Sequence, residues 1–391
     1  MTVVFICYWS IEDGLTASTV IPHLAILDGM IEVKTVILFT IERSRNKANL
    51  DLPPKVIHHP LWSGKRYIDK FVDFTQFPQQ IGKAIKSFNV RLMFCRGTPA
   101  GALGYIVHRA TRIPYVVESF EPHAEYMAES GVWRRWGLRY FLQRRWEKKQ
   151  MDTAHCLLPV SPAMERDLEL EGVERSRIRL MPCAVNQEIF SFDSEKRESL
   201  RSVLNIPKDC VCGIYVGKFG GLYYDSEAFQ IFEEALNFFP GFRLVILTPD
   251  DAPQIAARLL SHGFKNENYH VLKVGHEAVP AYLSAADFAF ALYRPTPSKK
   301  FLSPVKVGEY WAVGLPVLIS DAIGDASFII EKHQAGAIFS LRNLRPAFAK
   351  IKSTLEIDPI VLREKIRGLA LHYRSFETNR RIYKEIIHEI G

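Results

Sequence analysis

The sequence lacks the signatures of several classes of protein. No apolar run reaches the roughly 18 residues of a membrane-spanning helix, and no Asn-x-Ser/Thr glycosylation site occurs. The six cysteines form no C-x-x-C pair and show no spacing typical of zinc ligands. The first residues, MTVVFICYWS, lack the basic start of a secretory signal. We therefore expect a cytoplasmic protein whose cysteines are reduced.

The composition indicates a folded protein with more than one domain. Of its 391 residues, 48% are hydrophobic and 24% are charged. A single hydrophobic core usually stops growing at about 250 to 300 residues, so we expect two domains. The formal charge of +7 and the 12% aromatic content favour an anionic partner such as a phosphate ester, a nucleic acid or an acidic membrane. A charge of this size is equally ordinary without any such partner.

Short apolar runs alternate with longer amphipathic segments along almost the whole chain, which predicts parallel βαβ units. Helical patterns at 15–27 and 99–110 separate the first strands. Strands are predicted at 3–8, 33–39, 91–95, 115–117 and 155–160, and, beyond a polar linker with a short helix, at 211–216, 243–247, 269–272, 287–292, 316–320 and 336–339. We expect two doubly wound, Rossmann-like α/β domains with a ligand at the carboxyl ends of the strands, in the crevice between them.

The stretch SPVKVGEYWAVG, residues 303–314, predicts a helix whose first turn contains an unfavourably placed cation. Ser303 is a good N-cap, Pro304 suits the first helical position, and Gly314 provides a stop. Lys306 then lies near the positive end of the helix dipole, which costs up to about 1 kcal/mol. A bound anion would reverse the sign of that interaction, and helix N-termini are common phosphate sites. We therefore predict that Lys306 faces a phosphate group.

Glu309 lies one turn further along the same face of this predicted helix. Its carboxylate would accept hydrogen bonds from the hydroxyl groups of a sugar. The alternative is a surface ion pair between Lys306 and Glu309 that involves no ligand.

A second candidate segment is YVGKFGG, residues 215–221, where a buried strand runs into a glycine-rich turn. Gly217 and the other glycines would let a ligand approach the backbone closely, and Lys218 adds a cation at the same edge of the sheet. The segment matches neither the dinucleotide fingerprint nor the Walker loop. Taken by itself, it is equally well explained as an ordinary turn between a strand and a helix.

Together these segments resemble the retaining glycosyltransferases of family 4, which have the GT-B fold. SPVKVGEYWAVGLPVLISDAIGDASFII resembles the family's hallmark helix, strand and loop, YVGKFGG resembles its glycine-basic turn, and VGHEAVPAYLSAADFAFALYRP resembles the stretch whose loop contacts the nucleotide base. In the first half, VVESFEPHAEYM resembles the family's histidine-containing loop. The resemblance implies an acceptor-side domain at 1–185, a nucleotide-sugar-binding domain at 186–372 and a C-terminal helix at 373–391 that crosses back to the first domain, with a central cleft between the domains.

The resemblance also implies a donor site. Its residues would be Gly14, Gly217, Lys218, His276, Ser303, Pro304, Val305, Lys306 and Glu309. Glu309 would bind the ribose of the donor, while Lys218 and Lys306 would bind its diphosphate and serve in catalysis. The main-chain amides from Ser303 to Val305 would support the same phosphates, and His276 would belong to the loop at the base. Gly14 would lie in the loop after the first strand, facing the diphosphate.

His123 is the third catalytic residue that the resemblance implies, near the transferred sugar and the acceptor. It follows a predicted strand in the sequence ESFEPH, so that it lies at the expected carboxyl end of that strand. Glu118 and Glu121 are nearby candidates for orienting His123 or the acceptor. The alternative is a structural or solvated histidine without a catalytic role.

Two positions depart from the pattern of the family. Where the family commonly has a Glu eight residues before the ribose-binding Glu, this sequence has Phe301. Where the family commonly has a Lys five residues after the first basic residue, this sequence has Tyr223. Some members that lack both residues carry S-P-x-K, so we expect Lys306 to take over the neutralisation of the phosphates.

The implied reaction moves a sugar from a nucleotide sugar to a saccharide or lipid-linked acceptor, with retention of configuration. The leaving diphosphate needs cations, and we expect the two lysines to supply them without a metal or another cofactor, since the sequence has no Asp-x-Asp motif. A nucleotide-sugar 2-epimerase of the same fold and a catalytically inactive binding subunit are the alternatives.

The stretch GVWRRWGLRYFLQRRWEKKQ, residues 131–150, combines seven Arg and Lys residues with three tryptophans. We expect a helix whose apolar surface is formed by Trp133, Trp136, Tyr140, Phe141, Leu142 and Trp146. This composition suits an anionic membrane surface, with the protein peripheral on the inner face of the membrane. A helix packed on its own domain with a solvated basic face is an equal alternative. No nucleic-acid-binding module is recognised, so no nucleic-acid partner is expected.

Overall fold

The computed structural model describes residues 1–43, 51–64 and 67–391 of the chain. The chain splits into two compact units, the first formed by Met1–Pro182 with Glu377–Gly391 and the second by Cys183–Phe376. Each unit is built on one parallel six-stranded sheet. The predicted α/β fold class is therefore confirmed. The acceptor and donor roles expected for the two domains stay predictions.

The first unit alternates strands and helices. Its strands are β1 (Thr2–Cys7), β2 (Thr35–Glu42), β3 (Val56–Trp62), β4 (Val90–Arg96), β5 (Tyr115–Phe120) and β6 (Cys156–Pro159). Its helices before residue 183 are α1 (Gly14–Thr19), α2 (Ile21–Asp28), α3 (Tyr67–Phe88), α4 (Thr98–Thr111), α5 (His123–Glu129), α6 (Leu138–Thr153) and α7 (Pro162–Leu170), followed by a 3-10 turn at Arg175–Arg177. The sheet order is β3-β2-β1-β4-β5-β6.

The second unit repeats this architecture. Its strands are β7 (Cys212–Val216), β8 (Arg243–Leu247), β9 (Tyr269–Leu272), β10 (Phe288–Ala291), β11 (Val317–Ser320) and β12 (Gly336–Phe339). Its helices are α8 (Ser194–Val203), α9 (Ser226–Phe238), α10 (Ala252–Ser261), α11 (Val279–Ala285), α12 (Val305–Ala312), α13 (Gly324–His333), α14 (Leu344–Leu355) and α15 (Pro359–Tyr373), with 3-10 turns at His276–Ala278 and Pro297–Phe301. The sheet order is β12-β11-β10-β7-β8-β9.

Both sheets therefore have the same doubly wound strand order, read from opposite ends. The order reverses between β1 and β4 in the first sheet and between β7 and β10 in the second. Open parallel sheets bind ligands beyond the carboxyl ends of the strands at such a reversal. The loops after β7 and β10 are thus the first places to look for a ligand site in the second unit.

Every predicted strand is present, and one strand was missed. The missed strand is β3, whose sequence VIHHPLW contains two histidines and a proline and lacks a long apolar run. It lies at the edge of its sheet and pairs with β2. Edge strands tolerate a proline, because one side of the backbone makes no ladder hydrogen bonds. The helix predicted at 15–27 is divided into α1 and α2, with Pro22 in the first turn of α2.

The helix predicted over 131–150 is shorter than expected and begins only at Leu138. Residues 131–137 form turns, with Gly131 and Trp136 at φ values of 71° and 72°. A right-handed helix cannot pass through such positive φ values. Tyr140, which was expected on the apolar outer surface, is buried.

The last helix of the chain is α16 (Phe376–Ile390), and its residues from Glu377 onward belong to the first unit. Ile382, Tyr383, Ile386 and Ile387 are buried there. A fully buried side chain of this size contributes about 1.5–3 kcal/mol to stability. These four side chains therefore hold the helix firmly in the first unit. In the part of the chain that the structure describes, no helix has the length and apolar character needed to cross a membrane.

Candidate functional site

The turn after β7 contains three glycines with positive φ values and is fixed by backbone hydrogen bonds. Gly217, Gly220 and Gly221 have φ values of 145°, 78° and 63°, which favour glycine. The Gly220 amide donates to the Tyr224 carbonyl (3.2 Å), and the Tyr224 amide donates to the carbonyl of Leu292, just beyond β10. The turn thus joins the ends of the two strands between which the sheet order reverses.

Lys218 lies in this turn with its side chain exposed. Its carbonyl oxygen accepts a hydrogen bond from the hydroxyl of Tyr215, a residue buried in β7. The next amide, that of Phe219, donates to the Asp250 carboxylate at 2.8 Å. The backbone at Lys218 is therefore fixed, while its ammonium stays available at the carboxyl edge of the sheet.

The side chain of Lys306 reaches the same turn from α12. Its Nζ lies 4.1 Å from the centre of the Tyr223 ring. A Cβ at position 217 would lie only 2.1 Å from this Nζ, so the ammonium rests against the bare α-carbon of Gly217. No ion pair joins Lys306 to Glu309 among the described residues, and the expected alternative of a surface pair does not form.

The start of α12 differs from the prediction. The helix begins at Val305, with Pro304 in the N-cap position and no side-chain cap. The hydroxyl of Ser303 instead accepts a hydrogen bond from the Cys183 amide at 3.2 Å. Pro304 has no N–H group, so within the stretch from Ser303 to Val305 only Ser303 and Val305 carry main-chain donors, and their role at a phosphate stays a prediction.

The predicted end of the helix is correct. Gly314 has a φ of 80°. Its amide donates to the Trp311 carbonyl, and the Leu315 amide donates to the Tyr310 carbonyl, which together form a Schellman motif. A left-handed glycine therefore ends α12 as expected.

Glu309 and His276 form a pair beside α12. His276 Nε2 lies 3.2 Å from Glu309 Oε1, and the Glu309 side chain is only 9% exposed. This hydrogen bond raises the pKa of His276, while partial burial of the ring opposes the shift. The Phe190 ring packs against the imidazole, with 5.3 Å between the ring centres. The structure thus brings together the residues predicted for the ribose and for the base, and the carboxylate keeps further acceptor sites for a ligand.

Phe301 is buried, at the end of the 3-10 turn that precedes α12. The ammonium of Lys300 lies 4.8 Å from the centre of its ring. The family that this sequence resembles commonly has a glutamate at this position. The buried Phe301 ring has no group that hydrogen-bonds a sugar hydroxyl.

A buried ion pair that the sequence did not indicate packs against α12. The Arg374 guanidinium donates to both carboxylate oxygens of Asp325, at 2.8 and 2.7 Å. A Cβ at position 308 would lie 3.2 Å from the Arg374 Cγ, so Gly308 makes room for this side chain. The guanidinium also lies 5.3 Å from the Trp311 ring centre. Arg374 therefore helps to fix the position of α12, the helix that contains Lys306 and Glu309.

In the first unit, Gly14 begins α1, shortly after β1. A Cβ added at this position would meet nothing within 4 Å. The local packing therefore does not require a glycine here. A role for Gly14 at a diphosphate stays a prediction.

His123 is the first residue of α5, and Glu121 orients it. Its Nδ1 lies 3.3 Å from Glu121 Oε1, and its amide donates to the Glu121 carbonyl at 2.8 Å. The edge of its ring faces Trp133, with 5.6 Å between the ring centres. His123 therefore has a fixed ring orientation, although its catalytic role stays a prediction.

Glu118 does not orient His123, and that prediction is wrong. Its carboxylate is fully buried and accepts hydrogen bonds from the Tyr383 hydroxyl and from Arg96, the latter at 3.4 Å. Burial raises the pKa of Glu118, which Arg96 and Tyr383 partly offset. Glu118 therefore helps to fasten α16 to the first sheet.

Glu147 is a residue near His123 that sequence reasoning missed. Its Oε1 accepts the Ala124 amide at 2.9 Å and the Gln143 side-chain amide at 3.0 Å. Burial raises the pKa of Glu147 to about 7. A single acidic residue within the basic stretch 131–150 was the signal that could have identified it. No cluster of three or more potential metal-binding side chains occurs among the described residues.

Comparison with known proteins finds a family model that is similar to the first part of the chain. Residues 43–184 match the model of the glycosyl transferase 4-like domain. TuaC of Bacillus subtilis (strain 168), a putative teichuronic acid biosynthesis glycosyltransferase, is 26% identical over 240 residues, which are 60% of this chain. The match spans about half of that relative's length, 54%.

Solved structures extend the likeness beyond the glycosyl transferase 4-like domain. The chain matches sucrose-phosphate synthase from Thermosynechococcus elongatus with a TM-score of 0.78 and 16% identity, over 100% of this chain and 98% of that one. It matches Anabaena HepE in complex with UDP-glucose over the full length of both chains, with a TM-score of 0.73 and 11% identity. A putative UDP-N-acetylglucosamine 2-epimerase from Listeria monocytogenes gives a TM-score of 0.60 and 14% identity, over 98% of this chain and 94% of that one. The chain therefore has the GT-B fold.

Proposed function

We propose that this protein is a glycosyltransferase that moves a sugar from a nucleotide-sugar donor to a saccharide or lipid-linked acceptor. The observation that carries the proposal is the position of Lys306, whose ammonium lies against Gly217 where the strand order of the second sheet reverses. A cation and a bare glycine backbone at this edge suit a diphosphate, which needs both positive charge and close approach. The match of residues 43–184 to the model of the glycosyl transferase 4-like domain supports the same reaction class.

We propose a UDP-sugar as the donor. Anabaena HepE, which shares the fold, has been solved in complex with UDP and with UDP-glucose. Glu309 would bind the ribose hydroxyls with the acceptor sites that His276 leaves free, and His276 would approach the base. The Phe190 ring limits the positions open to the imidazole.

The proposed chemistry depends on stabilising the leaving group. The bond between the anomeric carbon and the phosphate oxygen breaks, and negative charge develops on the diphosphate. Lys306, Lys218 and the first amides of α12 would stabilise that charge, and removing one such preorganised donor typically slows turnover about 10²- to 10³-fold. We propose that the lysines do this without a metal. His123, oriented by Glu121, would act near the sugar and the acceptor, with retention of configuration by same-face attack.

The biological setting of the proposal is the synthesis of a cell-surface polysaccharide or glycan. TuaC, the curated relative, is named for teichuronic acid biosynthesis, which supports this setting. A lipid-linked acceptor would place the protein at the inner face of a membrane.

A nucleotide-sugar 2-epimerase is the second candidate, because a putative UDP-N-acetylglucosamine 2-epimerase shares the fold. It would form the epimer from the sugar nucleotide without any acceptor. A transferase would instead consume the donor only when an acceptor is present. A catalytically inactive subunit, which Phe301 and Tyr223 leave possible, would bind the nucleotide and release no product.

The direct test is a thermal-unfolding panel of UDP-, GDP-, ADP- and CMP-sugars. A ligand at 100 times its Kd stabilises a protein by about 2.7 kcal/mol, which corresponds to a rise of roughly 5–10 °C for a unit of this size. We expect UDP-sugars to give the rise and Lys306→Ala to remove it. Lys300→Ala is the matched control, since Lys300 is exposed and precedes the same helix. The proposal fails if no nucleoside diphosphate sugar raises the unfolding temperature.

A further inference from the structure

The turn before α6 and the first turns of that helix expose large apolar side chains. Val132 is 60% exposed, Trp136 70%, Leu138 66% and Phe141 50%. The Trp136 and Phe141 rings are in contact, with 5.9 Å between their centres. Contiguous exposed apolar side chains mark interaction sites more often than single ones do. We call these four residues the apolar tip.

The backbone at Trp136 is strained. Its φ of 72° lies in the left-handed region, where a bulky side chain costs on the order of 1–3 kcal/mol. This strain accompanies a ring that is largely exposed rather than buried. The Trp136 ring contacts the rings of Tyr140 and Phe141, with 6.0 and 5.9 Å between the centres, and strained backbone clusters at functional positions. The turn thus holds the Trp136 ring at the surface, where most of it is exposed.

Cations surround the apolar tip. Arg134 and Arg145 are exposed, and neither forms an ion pair among the described residues. Arg135 and Arg144 both pair with Glu125, at 3.3 and 3.4 Å, and stay more than half exposed. The stretch 131–150 has seven Arg and Lys residues against the single Glu147, which is buried. The surface around the tip is therefore strongly positive.

The opposite face of α6 is occupied by its own unit. Its buried residues are Tyr140, Gln143, Glu147 and Gln150. Trp146 stacks on Phe74, with 4.5 Å between the ring centres, so the prediction that it extends the outer apolar surface is wrong. Packing on the first unit thus accounts for the inner face of α6. It leaves the apolar tip unexplained.

We propose that the apolar tip and its arginines dock this protein on an anionic lipid bilayer. Tryptophan and aliphatic side chains partition into the headgroup region, and each nearby cation adds to the attraction of an anionic surface. A single-stranded nucleic acid would use the arginines and the rings, but it offers no apolar environment for Val132 and Leu138. A bilayer accommodates all four side chains of the tip together with the charges around them.

The test is co-sedimentation of the full chain with vesicles of phosphatidylcholine alone and of phosphatidylcholine with one quarter phosphatidylglycerol. Two double variants separate the contributions: Trp136→Ser with Phe141→Ser, and Arg134→Glu with Arg145→Glu. The matched control is Phe328→Ser with Lys332→Glu. Phe328 is 65% exposed in the second unit, and the Lys332 ammonium lies 5.9 Å from its ring centre.

We expect the wild type to bind the anionic vesicles at least tenfold more tightly than the neutral ones. Both tip and arginine variants should lose at least tenfold in this affinity, while the control stays within twofold of wild type. Equal binding to both kinds of vesicle, or wild-type binding by either variant, overturns the proposal. So does the absence of vesicle binding together with tight binding of a single-stranded oligonucleotide.

Two measurements keep this result separate from the proposed transferase activity. Thermal unfolding should show that all variants are folded, because every changed side chain is exposed. The UDP-sugar panel should give the same rise for the docking variants as for the wild type. Loss of vesicle binding with intact donor binding thus concerns the docking surface alone, whereas absence of donor binding concerns the proposed function alone.

Discussion

The ammonium of Lys306 lies 4.1 Å from the centre of the Tyr223 ring. Tyr223 stands where the family that this sequence resembles commonly has a lysine, and the cation beside its ring comes from α12. An aromatic face attracts a cation by about 0.5–1 kcal/mol at an exposed site. The ring of Tyr223 therefore supports the ammonium beside Gly217, where we propose that the donor diphosphate binds.

Replacing Tyr223 should weaken donor binding through Lys306. In Tyr223→Leu the ammonium loses its aromatic support, so we expect the Kd for UDP to rise about 2- to 5-fold, which corresponds to 0.5–1 kcal/mol. Tyr223→Phe keeps the ring and should bind like the wild type. Titration calorimetry with UDP measures both variants. Equal affinity in all three proteins would show that the ring does not position the lysine.

Gly217→Ala should displace Lys306, because the added Cβ would lie 2.1 Å from its Nζ. The same change also strains the backbone at a φ of 145°. Gly221→Ala is the matched control, since Gly221 has a φ of 63° and no atom within 4 Å of an added Cβ. We expect Gly217→Ala to lower affinity for UDP at least tenfold and Gly221→Ala to lower stability without this loss.

A double-mutant cycle separates the two effects at position 217. If the alanine acts by moving the ammonium, Gly217→Ala should cost little further affinity in a Lys306→Ala background. Full additivity of the two losses would mean that the backbone strain, and not the lysine, accounts for the effect.

The fold could be predicted because most strands of the two parallel sheets are buried. Runs such as 211–216 and 336–339 consist of apolar residues and stand out in the sequence. β3 could not be recognised, because its sequence VIHHPLW contains two histidines and a proline and looks like a loop. The other edge strands, β6, β9 and β12, were predicted, so the local sequence identifies apolar strands and misses a polar one.

The site was predicted only in part, since its decisive contacts join distant positions. Lys306 and Gly217 were both identified, but their contact depends on how β7 and β10 lie side by side. Ser303 looked like an N-cap, and its hydroxyl is used by the Cys183 amide instead. Buried charges such as Glu147 cannot be told from exposed ones without the tertiary structure.

The pair of His276 and Glu309 should make stability depend on pH. Glu309 raises the pKa of His276, so the protonated ring favours the folded state. This contribution is complete below the unfolded-state pKa of about 6.5 and disappears as the pH rises through the folded pKa. Glu309→Gln should therefore lower the free energy of unfolding more at about pH 5.5 than at about pH 8.5. The effect should be modest, because the His276 side chain is 54% exposed.

Urea unfolding at the two pH values, with an NMR titration of His276, measures this dependence. The control is Glu233→Gln, which removes the partner of His262 elsewhere in the second unit and should leave the His276 titration unchanged. An unshifted His276 titration in Glu309→Gln would contradict the pairing.

Removing one partner of the buried Arg374–Asp325 pair should destabilise the protein more than replacing both partners with uncharged residues. Arg374 is 1% exposed and donates to both Asp325 oxygens, so Asp325→Ala leaves a buried charge without its partner. We expect this change to lower the free energy of unfolding by about 3–5 kcal/mol. Arg374→Met combined with Asp325→Ala should recover part of the loss, because no charge then stays buried. Arg345→Ala, at a pair with Glu234 in which the arginine is 75% exposed, should cost at most about 1 kcal/mol in the same urea experiment. If the double variant is no more stable than Asp325→Ala, the cost comes from lost packing under α12 and not from the unpaired charge.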